Sequence, residues 1–157
     1  MIQIRHFEPR DSEEIKKLIT GIMDGEFSQE KAAFSFDDLE TIGDAYGSLG
    51  EAFFVAEEDQ KVIGTIAVKR EDERVALIRR IFVALPYRKK KVGLRLLNRA
   101  VDFCKEVGYR ELMFKTTSRM TGAIELFKKE GFHPRAKVPM GNLELVKLTL
   151  SLKGERN

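Results

Sequence analysis

The stretch LPYRKKKVGLRLL, residues 85–97, decides how the chain is read. Four successive cations, Arg88, Lys89, Lys90 and Lys91, stand before Gly93 and an apolar pattern with helical spacing. Immediately upstream, RVALIRRIFV (residues 74–83) is rich in β-branched and aromatic residues and reads as a strand. A strand that ends in a loop and opens a helix offers unpaired backbone N–H groups at the positive end of a helix dipole. If the amides of Lys89, Lys90, Lys91, Val92, Gly93 and Leu94 turn inward, they make a nest for a pyrophosphate. Gly93 allows the backbone close approach, and the lysines add charge. Neither G-x-x-x-x-G-K-[ST] nor G-x-G-x-x-G occurs, so the common nucleotide loops are excluded.

Charge singles out the same region. Of 28 Lys and Arg residues, nine lie between Arg74 and Val101, where no acidic residue occurs. Elsewhere 19 basic residues face 25 acidic ones, so the net charge of +3 belongs to one segment, and an anionic partner is expected there. At 157 residues the chain suits one domain with its own core, expected over 1–152, and a short frayed tail, 153–157. No apolar run approaches membrane-spanning length, and the first residues, MIQIRHFEPRD, lack a secretory pattern. The single cysteine, Cys104, permits no internal disulfide and reads as a small core residue; His6 and His133 are isolated. A cytoplasmic protein without a metal is expected.

Residues 2–7 read as a first strand. Asp11 is placed to cap a helix whose stripe is Ile15, Leu18, Ile19, Ile22 and Met23, stopping at Asp24-Gly25. A short helix is expected after Ser35, within a weakly patterned, mobile stretch from Glu26 to Gly50. From Ala52 the period becomes that of strands, with a hairpin at Asp59-Gln60 and a turn at residues 71–73. Gly93, Leu96, Leu97, Ala100, Phe103, Cys104 and Val107 line one helical face ended by Gly108. ELMFKT is a strand, Met120, Ala123, Ile124 and Phe127 a second helical stripe, and LELVKLTLSL a last strand. The order β-α-α-β-β-β-α-β-α-β-β is that of a mixed α+β sheet covered by helices.

With these elements in place, IRRIFVALPYRKKKVGLRLL resembles the strand-loop-helix of the GNAT superfamily of acyl-CoA-dependent N-acetyltransferases, whose loop runs Arg/Gln-x-x-Gly-x-Gly/Ala. Arg88 takes the first position, Lys91 replaces the first glycine, and Gly93 keeps the second. TTSRMTGAIELFKKEGF resembles the family's second signature, a helix closing on Gly131-Phe132. The resemblance implies an α/β, mostly antiparallel sheet splayed between the fourth and fifth strands and flanked by about four helices. It implies acetyl-CoA as cosubstrate, with the pantetheine arm along Ile81, Phe82 and Val83 and the pyrophosphate over residues 88–94. A backbone N–H near Phe82 would polarise the thioester carbonyl, and a primary amine would attack directly in a ternary complex. A homodimer is allowed.

Three positions depart from the family. Lys91 stands for a glycine, Met120 for a frequent asparagine, and Phe127 for a tyrosine that protonates the departing thiolate. Leu77 occupies a sheet position where some members carry a glutamate base. Glu51, Glu57, Glu58 and Glu73 are within the right region of the sequence to drain a proton through water, but spacing selects none. The catalytic acid and base are therefore unassigned. Since strand neighbours face opposite ways, only one of Arg79 and Arg80 is expected in the cleft. Asp37, Asp38 and Glu40 are either a solvated helix start or an acidic amine entrance. Acceptor contacts are expected from the Glu26–Gly50 stretch and a loop over Pro134–Asn142. The alternative to an enzyme is a non-catalytic acyl-CoA-binding or sensor domain. Nucleic-acid binding is disfavoured, because no helix face arranges side chains for base readout.

Overall fold

The computed structural model describes residues 1–152, and the expected tail at 153–157 lies outside them. The period-2 segments become strands β1 (Gln3–His6), β2 (Ala52–Glu58), β3 (Lys61–Arg70), β4 (Val75–Val83), β5 (Glu111–Thr117), β6 (His133–Met140) and β7 (Leu143–Ser151). The helical stripes become α1 (Ser12–Glu26), α3 (Val92–Val107) and α4 (Thr121–Lys129), with a single-turn α2 (Ile42–Ala45). One sheet holds the strands in the order β1-β2-β3-β4-β5-β7-β6. All pairs are antiparallel except β4–β5, where α3 makes the crossover that parallel strands require.

The two faces bury different cores. On one, α3 and α4 cover Phe54, Ile66, Ile78, Leu112 and Phe114; on the other, α1 and the 27–50 segment cover Phe53, Val55 and Ala67. Asp59 and Gln60 both have positive φ, 52° and 65°, as a two-residue hairpin with right-handed strand twist demands. Gly108, at φ 102°, ends α3 as read. Cys104 is fully buried, and burial pushes its thiol up to about 12, which suits a packing residue.

Four local expectations are corrected. Asp11 does not cap α1 with its side chain; its carboxylate accepts two bonds of 2.9 Å from Arg5 and one of 2.8 Å from the Glu8 N–H. That buried pair takes the acceptor atoms a cap would use. Helix α1 runs to Glu26, past Gly25, and Phe27 N–H closes its last turn on Met23 O. The Glu26–Gly50 stretch is not loose: Leu39, Ile42 and Tyr46 are buried against α1. Pro134–Asn142 is mostly strand β6, at the edge of the sheet, where prolines do not interrupt a central ladder.

Candidate active site

The β4–β5 ladder is short. It pairs Val75 with Glu111 through Ile78 with Phe114, and there the parallel pairing stops. Beyond it β4 leaves β5, and β7 pairs with the far side of β5 along its whole length. The cause lies in β4 itself. Arg80 sits at φ 56°, a left-handed conformation, and the β3–β4 register shifts between Thr65 and Ala67. This is a β-bulge, which bends its strand and increases the local twist. Two contacts hold it: Thr65 Oγ1 donates a 2.7 Å bond to Arg80 O, and Gly64 lets β4 come close. A Cβ on Gly64 would stand 3.0 Å from Leu96 Cδ1 and 3.1 Å from Phe82 O.

The bulge also resets which way side chains point. Ala76 and Ile78 join the core under α3, and so do Ile81, three residues on from Ile78 instead of two, and then Val83. Phe82 joins the core under α1. Arg79, opposite Ala67, and Arg80, bonded to the 35–38 segment, therefore both lie on the α1 side. The expectation that only one of the two reaches the cleft is overturned, because strict alternation fails at a bulge. Both line a cavity of about 110 Å³ at the splay, together with Leu77, Phe34, Phe36 and Met120.

Arg80 is 7% exposed and fully engaged. Its guanidinium donates to Asp38 Oδ2 at 2.9 Å, Asp38 Oδ1 at 2.7 Å and Ser35 O at 2.6 Å, and stacks over the Phe36 ring. Tyr46 OH donates a further 2.6 Å bond to Asp38. Burial alone would raise the Asp38 carboxyl, but the bonds from Arg80 and Tyr46 outweigh it and hold it below the usual range. Asp38 is thus an anchor for the 35–38 segment and not part of an open acidic entrance. Glu40 pairs with Lys16 on the surface. Arg79 is half-buried and makes no ion pair or side-chain hydrogen bond among the described residues.

At the other end of the splay, the loop after β4 leads into α3. Lys89 and Lys91 take left-handed φ of 64° and 66°, and Lys91 is the N-cap residue of α3 with no side-chain cap. Arg95 N–H makes the bond to Lys91 O, so the amides of Val92, Gly93 and Leu94 precede the helical ladder. Lys89, Lys90 and Lys91 are exposed. Arg88 is tied down, donating to both Glu26 oxygens at 2.6 and 2.8 Å and to Val83 O at 2.9 Å. Gly93 has a packing role that the sequence did not reveal, since a Cβ there would lie 3.3 Å from Leu126 Cδ2 of α4. Ala84 N–H donates to Ile63 O at 2.8 Å. Alternation from that point turns the Phe82 main chain toward β3 and the N–H groups of Ile81 and Val83 toward the splay.

Groups suited to proton transfer are sparse. Glu51 binds Lys69, Glu57 binds Arg5, and Glu58 meets the N-terminal amine. None of these, nor Glu73, lines the cavity. Phe127 is fully buried, stacked on Phe114 at 3.8 Å and edge-on to Phe132 at 4.8 Å. Glu30 escaped the sequence reading: its carboxylate is 1% exposed and lies 3.1 Å from Arg119 Nε, too bent for a hydrogen bond. No residue of the Pro134–Asn142 segment lines the cavity.

Comparison with known proteins agrees with this geometry. The chain is 33% identical over 103 residues to an uncharacterised N-acetyltransferase of Methanocaldococcus jannaschii, covering 62% of this chain and 45% of that protein. It is 35% identical over 83 residues to streptothricin acetyltransferase A of Bacillus subtilis, covering 53% and 48%. The matched part spans less than half the length of either relative. A GNAT-family acetyltransferase from Staphylococcus aureus Mu50 superposes with a TM-score of 0.86 at 25% identity, covering 98% of this chain and 100% of that one. A Salmonella typhimurium protein solved with its cofactor acetyl-CoA superposes at 0.81 with 20% identity, covering 99% and 96%, and shares the fold. A model of the acetyltransferase (GNAT) family matches residues 16–132, most of the described chain, and the chain belongs to that family.

Proposed function

We propose that the protein transfers an acetyl group from acetyl-CoA to a primary amine, by direct attack in a ternary complex. The observation that carries this reading is the splay itself: β4 presents an unpaired main-chain edge beyond Ile78, next to the uncapped start of α3. These features fit the cosubstrate. An extended pantetheine arm pairs with a free strand edge as an added strand would, and Ile81 and Val83 supply its N–H partners. The amides of Val92, Gly93 and Leu94, with Lys89 and Lys91 nearby, suit a pyrophosphate. Bound there, acetyl-CoA supplies an acyl group activated as a thioester.

The chain's own contribution is positioning and field. The Ile81 N–H, adjacent to Phe82, is the donor best directed toward a carbonyl oxygen in the splay. An alkyl ammonium, with a pKa of about 10.4, must lose a proton before it attacks. Arg79, which makes no ion pair among the described residues, disfavours the cationic form of an amine near it and promotes that loss. The proton passes to water, since the cavity is lined by no free carboxylate among the described residues.

That same scarcity favours one second reading, an acyl-CoA-binding domain without turnover. One measurement tests both readings and a second separates them. Acetyl-CoA at a hundred times its Kd stabilises the fold by about 2.7 kcal/mol in either case. Release of free CoA thiol on adding an amine occurs only for the enzyme. No melting shift with acetyl-CoA, CoA or desphospho-CoA overturns both.

A further inference from the structure

We propose that the acceptor is a small α-amino acid with an apolar side chain, its carboxylate held by Arg79. This deepens the acetyl-transfer reading and rests on it. The starting point is the charge balance of the cavity at the splay. Its lining includes three cations, Arg79, Arg80 and Lys115, and no acidic side chain among the described residues. The nearest carboxylate, Asp38, has both oxygens bound by Arg80 and one also by Tyr46. Arg80 is thereby neutralised, and Lys115 is exposed to solvent at the mouth.

Arg79 is different. The bulge at Arg80 turns the two arginines to the same face, and among the described residues only Arg80 forms an ion pair; Arg79 adds to the field that lowers the Asp38 carboxyl but makes no bond to it. A half-buried arginine that lines a mostly apolar cavity, and makes no ion pair among the described residues, is a site for an anion. Its planar fork matches a carboxylate through two parallel N–H···O bonds. Most of the remaining wall is apolar, and Leu77, Phe34, Phe36 and Met120 suit an aliphatic or thioether side chain. A cavity of about 110 Å³ suits a small molecule the size of a single amino acid. A polyamine or a second ammonium has no free carboxylate to meet in the lining and the Arg79 guanidinium to repel it. The arrangement therefore selects a carboxylate, an amine and an apolar side chain on one small molecule.

The test compares L-leucine with two ligands of similar shape that lack the carboxylate, L-leucinamide and 3-methylbutylamine. Each is titrated calorimetrically into wild type, Arg79→Gln and Arg79→Lys, with and without CoA. A bidentate charged bond makes wild type bind leucine about ten- to a hundredfold tighter than either twin. Arg79→Gln is expected to erase that advantage, and Arg79→Lys to keep part of it, at unchanged melting temperature. Equal binding of the three ligands to wild type overturns the proposal, as does a leucine advantage that survives in Arg79→Gln or no binding of leucine at all. CoA binding and thiol release are read in the same samples. Loss of those signals with carboxylate-dependent binding intact counts against acetyl transfer and not against the Arg79 site.

Discussion

Lys91 shows how a single backbone angle can outlast the residue type that suits it. Its φ of 66° is where glycine is at ease and a side chain is not. The left-handed conformation costs about 1–2 kcal/mol for an L-residue, partly offset by glycine's greater loss of freedom on folding, about 0.5–1 kcal/mol. Lys91→Gly is therefore expected to melt higher than Lys91→Ala, by the equivalent of about 1 kcal/mol, because alanine keeps the strain and glycine does not. Thermal melts of the two variants at matched salt check this. Equal melting would mean that the loop relaxes to another conformation once the lysine is gone. The junction of a strand, a basic loop and a helix start was legible from the charge run and from Gly93 before an apolar helical stripe. The packing of Gly93 against Leu126 was not, because it depends on how α4 returns to the sheet.

At the scale of elements, the 27–50 segment is held on β4 by one buried cluster. Arg80 and Asp38 are 7% exposed and half-buried, respectively, and removing one partner leaves the other desolvated without a counter-charge. Asp38→Asn is expected to cost about 3–5 kcal/mol at neutral pH. Its pH dependence has a definite sign. Folding lowers the Asp38 carboxyl, so its contribution is present above the unfolded value, about 3.9, and fades as pH falls through the still lower folded value. The stability gap between wild type and Asp38→Asn should accordingly narrow below about pH 4, as read from urea melts across pH. A gap that stays constant to pH 2 would contradict the latch.

The strands themselves were legible, since RVALIRRIFV and KVIGTIAVKR carry the β-branched pattern of a sheet. The bulge between them was not. It asks an arginine to adopt a left-handed φ, and nothing in that residue type announces it. For the same reason the facing of Arg79 and Arg80 was misread. The prolines of residues 134–139 suggested a loop because sequence alone does not say which strand will be at an edge. The stretch from Glu26 to Gly50 read as loose because its order comes from distant partners, Arg80 for Asp38 and Arg88 for Glu26.

On the scale of the whole molecule, the sheet has differently furnished sides. The α3 side offers the uncapped helix start and the exposed lysines, and Arg79 and Arg80 reach the cavity at the splay from the α1 side. The splay is where these sides communicate, because there β4 and β5 no longer seal the sheet. Arg88 binds the end of α1 through Glu26 while also holding Val83 O, so the loop on one side is tied to the covering segment on the other. No helix of the described residues is long and apolar enough to cross a membrane.

The central claim is that acetyl-CoA lies along the open edge of β4. Hydrogen exchange of individual backbone amides, followed by NMR with and without saturating acetyl-CoA, tests it most directly. The Ile81 and Val83 amides, directed into the splay, are expected to slow markedly on binding, together with those of Val92, Gly93 and Leu94. The Phe82 amide, directed toward β3, should change little beyond the general stabilisation. Binding that leaves Ile81 and Val83 as fast as in the free protein, or protects Phe82 in their place, would contradict the account.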